Sequence, residues 1–292
     1  MISFSRLSKK SKPAIEAITR QHAPYSDFNF TSLYCWNTDG SAEYAVIGDC
    51  LIVRMPDYTT GKKVLSILGG DEPGRVMNEL LCESDELRFV PHATIDALPP
   101  THRFQITEDH IHHDYIYDLK HLALLQGRSY ATVRSKVNQF KSLHPSYTTE
   151  VFEMLTDALS TEIREVTNAW LRGQPEDDGD ESESLAIDRF LAHANQFAFL
   201  GVGLRVEGEL IGFSINEILD DGAYAICHLQ KVIKTYKNSD ALLTHYSSQV
   251  LYERGCKMIN WEQDLGIAGL RKLKRSYRPV ELLKKYKVSK AN

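Results

Sequence analysis

One order of elements occurs twice in this chain, and it restricts the available folds more than any single motif does. "AEYAVIGDCLIVRMP" reads as two strands around Gly48-Asp49, a hairpin signal. "KKVLSILGG" is a third strand stopped by Gly69-Gly70, "PGRVMNELLCES" is a helix with Val76, Leu80 and Leu81 on one side, and "ELRFVP" is a strand. The second half repeats the series. "QFAFLGVGLRVEG" and "ELIGFSINEIL" are strands meeting at Glu207-Gly208, and a turn at Asp221-Gly222 leads into a third, "AYAICHLQKVI". The helix "DALLTHYSSQVLYERG" ends at Gly255, where a C-cap glycine belongs, and "CKMINWEQD" returns as a strand. A meander followed by a strand–helix–strand unit gives a mixed, mostly antiparallel sheet with flanking helices. Two copies predict an α/β (α+β) chain of two similar domains, 1–115 and 146–292, joined by a helical linker at 116–145.

The flanking segments are shorter. Ser11 and Pro13 open a helix, and "SDFNFTSLYCWN" reads as another, capped by Asp27 with Trp36 on or near its buried side. The linker holds two helices around Gly127, the second with a buried stripe of Val133, Val137 and Phe140. The acidic run "QPEDDGDESES" (174–184) is expected to be a flexible loop between helices.

With 42% hydrophobic and 25% charged residues the composition is that of an ordinary globular protein. The formal net charge of -5 argues against nonspecific coating of nucleic acid or membrane, so any anion site must be local. Five scattered cysteines form no C-x-x-C pair, which excludes a disulfide framework and a cysteine zinc site and suits a reducing cytoplasm. The N-terminus lacks a signal-peptide apolar region and no apolar run approaches bilayer length, so no stable membrane insertion is expected. The three histidines of "HIHHD" (110–114) lack a defined set of partners, and no metal is expected there. G-x-S-x-G, Walker A and H-E-x-x-H motifs are absent from the sequence.

Against this mild acidity, "DLGIAGLRKLKRSYRPVELLKKYKV" (264–288) concentrates eight Lys or Arg residues against two acids. At about 100° per residue, Ile267, Leu270, Leu273 and Tyr277 form one helical stripe, and Arg271, Lys274, Arg275 and Arg278 an adjacent one. The expectation is an apolar face on the sheet beside a cationic face, either solvated or gripping an anion. The linker supplies a second basic helix, with Arg128, Arg134, Lys136 and Lys141 and no acid from Arg128 to His144. Two such helices would suit a phosphate-rich ligand, with arginine giving bidentate contacts.

Three segments carry a resemblance. "SDFNFTSLYCWN", "DYIYDLKHLALLQGRSYATVRSKVNQF" and above all "NWEQDLGIAGLRKLKRSYRPVELLKKY", with its D-x-G-x-x-G-L-R-x-x-K-x-S-Y-x-P pattern, resemble the C-terminal domain family of phosphatidylglycerol lysyltransferases and its soluble relatives. The resemblance implies tandem GNAT-like domains, a fold shared with Fem-type aminoacyl-tRNA-dependent transferases. It implies an acyl or aminoacyl transferase, with aminoacyl-tRNA as donor, tRNA as a partner and a small-molecule or lipid-headgroup acceptor. "KVIKTYKNSDALL" (231–243) is similar to the GNAT donor-binding pattern V-x-P-x-Y-R-G-x-G-x-x-L-L. Lys231, Tyr236, Lys237 and Asn238 are accordingly the expected donor contacts, made with a helix N-terminus. Asn238 and Asp240 stand where glycines are usual, which disfavours acyl-CoA, and Asp240 is expected to cap the helix.

Aminolysis of an acyl ester needs positioning, removal of one proton and stabilisation of an oxyanion. Arg271 and Lys274 are the expected charge stabilisers, and Glu262 and Asp264 the groups that accept a proton or orient the amine. Arg134, Asn138, Glu217, His228, Tyr277 and Arg278 are assigned to the substrate, although polar groups placed like Glu217 and His228 are more often structural, and Asp264 serves equally as a helix cap. A CoA-dependent N-acyltransferase and a non-catalytic anion- or RNA-binding module are the two rival readings.

Overall fold

The computed structural model describes residues 2–57, 60–173, 181–219 and 222–291. In chain order the elements are β1 (Ser5–Arg6), α1 (Lys12–Thr19), α2 (Phe30–Trp36), β2 (Glu43–Ile47), β3 (Cys50–Pro56), β4 (Lys63–Leu68), α3 (Pro73–Leu80), β5 (Glu86–Pro91), α4 (His92–Asp96) and β6 (Phe104–Glu108). There follow β7 (Asp114–Asp118), α5 (Leu119–Leu124), α6 (Ala131–Leu143), β8 (Thr148–Phe152), α7 (Asp157–Arg172), α8 (Glu181–His193), β9 (Leu200–Val206), β10 (Glu209–Ile218) and β11 (Tyr224–Val232). The last are α9 (Ser239–Glu253), β12 (Met258–Asn260), α10 (Ala268–Ser276), β13 (Glu281–Leu283) and β14 (Lys285–Lys290). The chain divides into two compact units, 1–115 with 262–272 and 281–292, and 116–261 with 273–280. The two linker helices α5 and α6 thus fall inside the second unit, and the final strand β14 falls inside the first.

In the first unit a sheet runs in the order β1-β2-β3-β4-β5-β14-β6. β2, β3 and β4 form the antiparallel meander read from the sequence; α3 then carries the chain to β5, which lies parallel to β4. β14 slots antiparallel between β5 and β6. Ile52, Ile67, Val76, Met77, Leu80, Leu87, Val90 and Val288 make the core under α3. Each such side chain contributes about 1.5–3 kcal/mol by leaving water.

The second unit repeats the plan. Six of its strands run β7-β12-β11-β10-β9-β8, with β9, β10 and β11 antiparallel and β12 parallel to β11 after the α9 crossover. Its helices cover both faces. Ser214 of β10 reaches Ser247 of α9, whereas Lys231, one register position away, lies over the Trp170 ring of α7. Alternation along the strands therefore turns Ser214 and Asn216 toward α9, and Phe213, Glu217 and Lys231 toward α7.

Three expectations need correction. Asn29, not Asp27, caps α2, accepting the Ser32 N–H at 3.0 Å, because Asp27 is drawn into a buried ionic cluster described below. Asp240 does not take the cap position of α9, which Asn238 holds without a side-chain cap bond. The apolar stripe of α10 is not a buried seam: Ile267 is 49% exposed and Leu273 37%, while Lys274 on the supposed solvated face is only 8% exposed. Polar partners for Arg271 and Lys274 decide how this helix lies, and helical periodicity is blind to them. Of the acidic run, 174–180 lies outside the described residues, as does Asp221 of the expected turn; the rest of the run begins α8. Among the described residues no helix is long and apolar enough to cross a membrane.

Candidate functional site

The second unit presents a strand splay. β11 and β12 pair only at Tyr224↔Met258, Ala225↔Ile259 and Ile226↔Asn260, yet β11 continues to Val232 against β10. The pairing of β11 with β12 thus ends at Ile226, while its pairing with β10 runs on to Val232. The splay opens at a β-bulge. Ile215 faces Leu229 and Asn216 faces Cys227, so His228 is the extra residue. A bulge re-aims the side chain it carries, and here His228 Nε2 lies 2.9 Å from Glu217 Oε2. Both residues are buried, at 9% and 8% exposure. A carboxylate fixed to an imidazole sets the tautomer and supports the cationic ring, the arrangement of a proton acceptor.

β11 leads to the N-terminus of α9 through Asn238, whose φ of 65° is left-handed. Asparagine tolerates that region better than most residues, and the Asn238 amide donates to Gln139 Oε1 at 2.7 Å. Asp240 stands in the first turn of α9, where an anionic ligand would otherwise meet the helix dipole. Lys231 is buried, bonded to Glu183 and 4.2 Å above the Trp170 ring. Tyr236 packs at 5.4 Å on His144, and Lys237 is exposed. Arg134 donates to the carbonyls of Leu125 and Gly127, stapling the turn between α5 and α6, and Asn138 is exposed on α6. Lys274 donates to the Trp261 carbonyl, and Tyr277 packs edge-on against Trp261, its ring centroid 5.0 Å away. Burial, then the Asp240 charge, pushes the Tyr277 hydroxyl far above the ordinary tyrosine range. Arg278 is exposed with a φ of 58°.

The first unit holds the other cluster. The turn 262–266 has positive φ at Glu262 (56°), Leu265 (52°) and Gly266 (78°). A non-glycine residue in that region costs on the order of 1–3 kcal/mol and persists only where its surroundings impose it. Here they do. Glu262 O accepts the Tyr115 N–H at 3.1 Å, and Leu265 N–H donates to Ile111 O at 3.0 Å. The Ser32 hydroxyl donates to Glu262 Oε1 at 3.2 Å. Asp264, 1% exposed, accepts from the Tyr115 hydroxyl at 2.7 Å and from the Gly266 N–H at 2.8 Å. Arg271 grips the same carboxylate through Nε at 2.8 Å and Nη2 at 2.9 Å, with its side chain a third exposed (33%). Burial alone would push the Asp264 carboxyl up; Arg271, Tyr115 and the Gly266 N–H outweigh it and hold it below the usual carboxylate range. A guanidinium fixed on one edge by a buried carboxylate is oriented in advance for an anion on its other edge.

Beside this turn lies a group that residue types alone had not suggested. Lys285, wholly buried, bonds to Asp27, to Asp114 Oδ1 at 2.7 Å and to the Ser26 hydroxyl at 3.3 Å. Asp114 also accepts from Ser26 N–H and Oγ at 2.8 and 2.7 Å, and Gln263 Nε2 donates to Asp27 Oδ1 at 2.6 Å. Burial pushes the Asp27 carboxyl up against the pull of Lys285, while the two carboxylates overcome burial and raise the Lys285 ammonium.

Two of the "HIHHD" histidines, His110 and His113, meet Glu108, while His112 lies against Asp109. Glu108, His110 and His113 offer ligand atoms within 4.8 Å of one another. The tautomer of His113 speaks against a metal. Its Nδ1 accepts the Lys285 N–H at 3.1 Å, which leaves the ring proton on Nε2, the atom 3.0 Å from Glu108 Oε1. Burial lowers the His113 pKa despite Glu108, so the ring is a neutral donor to the carboxylate and not a ligand.

The family model described as "Phosphatidylglycerol lysyltransferase, C-terminal" matches residues 19–289. No curated protein matches the sequence. Among solved structures, a conserved protein of unknown function from Bacteroides thetaiotaomicron is 26% identical, with 99% of this chain and 100% of that one covered and a TM-score of 0.85. L-PGS from Bacillus licheniformis is 18% identical over 99% and 93%, with a TM-score of 0.68. FemX is 9% identical over 100% and 98%, with a TM-score of 0.57, a likeness of fold alone.

Proposed function

Because the chain belongs to the phosphatidylglycerol lysyltransferase C-terminal family, a tandem GNAT-like fold of transferases, we propose that it moves an aminoacyl group from an RNA-linked ester to an amine or hydroxyl acceptor. The observation that carries the reading is the β11/β12 splay with the Glu217–His228 pair at its mouth. The donor's acyl group lies along β11 beyond the end of its pairing with β12. The acceptor nucleophile attacks the ester carbonyl and gives its proton to His228, whose cationic form Glu217 supports. The proton then returns to the departing hydroxyl of the donor, so atoms and charge balance. The first unit carries an anion contact of its own: Arg271, oriented by Asp264, is suited to grip a phosphate. Asp240 in the first turn of α9 favours this donor over acyl-CoA, whose pyrophosphate would approach that charge.

The test is a pair of incubations. Transfer RNA charged with a mixture of radiolabelled amino acids, given a cell extract of small molecules and lipids, should lose label to a non-RNA product faster than by spontaneous hydrolysis. Acetyl-CoA with the same extract should release no thiol. Thiol release without RNA turnover would establish the CoA-dependent acyltransferase instead, and RNA binding without either would establish a binding module.

A further inference from the structure

The turn 262–266 combines two non-glycine residues in the left-handed region with the carboxylate that orients Arg271. Its backbone tethers lie at its ends, on Tyr115 and Ile111. Between them, Gln263 is 7% exposed and sends its amide into the cluster of Asp27, Lys285 and Asp114. That cluster joins three distant parts of the chain, residues 26–27, β7 and β14, at a site with no exposure at Asp27, Asp114 or Lys285. A ledge so fixed is a rigid reference for whatever bonds to it. The next residue along is Asp264. Its two oxygens are shared among Tyr115, Gly266 and Arg271, so a rotation of the turn would break several bonds at once.

We propose that Gln263 is a positioning residue: by bonding to Asp27 it fixes the turn that holds Asp264, and through Asp264 it sets the orientation of the Arg271 guanidinium. The proposal rests on the reading of Arg271 as a phosphate contact for its functional consequence, but the positioning itself can be read without any ligand.

The experiment compares wild type, Gln263→Ala, Arg271→Gln and the swap Gln263→Glu with Asp27→Asn, which returns the hydrogen bond with donor and acceptor exchanged and the net charge unchanged. The first readout is the Arg271 Nε–H signal in nitrogen-15 NMR spectra. It should be sharp and shifted in wild type, broadened or collapsed to the solvent-averaged position in Gln263→Ala, and restored in the swap. The second is affinity for uncharged bulk transfer RNA by fluorescence anisotropy. Gln263→Ala should lose about as much as Arg271→Gln, several-fold for one charge-assisted contact, and the swap should recover it. An Arg271 signal unchanged by Gln263→Ala overturns the positioning role. Unchanged RNA affinity in Arg271→Gln, with the signal still responding to Gln263→Ala, overturns only the reading of Arg271 as a phosphate contact. Should Gln263→Ala fail to fold, the swap decides: a folded swap protein with a collapsed Arg271 signal overturns the proposal, and a restored signal supports it.

Discussion

Replacing Lys285 by methionine keeps most of the side-chain volume and removes the ammonium that Asp27 and Asp114 share at zero exposure. Breaking a buried ion pair by deleting one partner costs about 3–5 kcal/mol, because an uncompensated charge stays behind. The two carboxylates are not equally provided for. Asp114 retains the Ser26 N–H and hydroxyl, whereas Asp27 retains the Gln263 amide. Asp27 is thus the group that takes a proton in the variant, continuing the upward push that burial already gives it. The folded variant then binds one more proton than its unfolded chain, so its stability rises as pH falls. The deficit should shrink as pH falls toward the ordinary carboxylate range, by about 1.4 kcal/mol per pH unit wherever Asp27 is protonated only in the folded chain. Hydrogen exchange of the β5 and β14 amides reads this in the first unit alone. The charge-free variant Asp27→Asn, Asp114→Asn, Lys285→Met should regain most of the loss, as buried ionic groups replaced together usually do. A deficit below about 1 kcal/mol at pH 7, or one independent of pH, would show that no uncompensated charge is left at Asp27.

Other expectations follow from single positions. A Cβ at Gly70 would lie 2.2 Å from Cys50 Sγ at a φ of 106°, so Gly70→Ala should destabilise by about 1–3 kcal/mol in urea melts, and adding Cys50→Ala should return the steric part only. The depressed Asp264 pKa means its contribution is full above the ordinary carboxylate range and is lost as pH falls through its folded value. Acid titrations followed by circular dichroism should therefore show wild type and Asp264→Asn converging in stability as pH falls below the ordinary carboxylate range.

Much of the architecture is legible in the sequence because it rests on local signals. Period-two apolar runs and glycine turns gave both meanders, and the left-handed turn before α9 agrees with the side chain of Asn238. The candidate sites are less legible for a common reason. Glu217 and His228 read as polar positions on separate strands, and only the bulge at His228 brings them within 2.9 Å. Lys285 sits in the basic run 264–288, where nothing in "LLKKYKV" sets it apart from Lys284 or Lys287. It is buried because β14 is inserted between β5 and β6 beside two carboxylates far away in sequence. Arg271 and Lys274 form a cationic stripe on a helical wheel, yet one is taken by Asp264 and the other by the Trp261 carbonyl. Charge patterning counts like charges on one helix and does not register the partners that the fold delivers to them. Gln263 gave no signal at all, being an uncharged residue between two acids.

Acyl transfer through the buried pair at the β11 splay should fail when its proton acceptor is removed. The direct measurement is the single-turnover rate of label transfer from charged transfer RNA for wild type, His228→Gln and Glu217→Gln, with circular dichroism and RNA affinity recorded alongside. With His228 as the proton acceptor, His228→Gln should lose about 10²–10⁴-fold in rate, Glu217→Gln should lose less, and both should keep their fold and RNA affinity. Transfer at the wild-type rate in a folded His228→Gln protein would contradict that role.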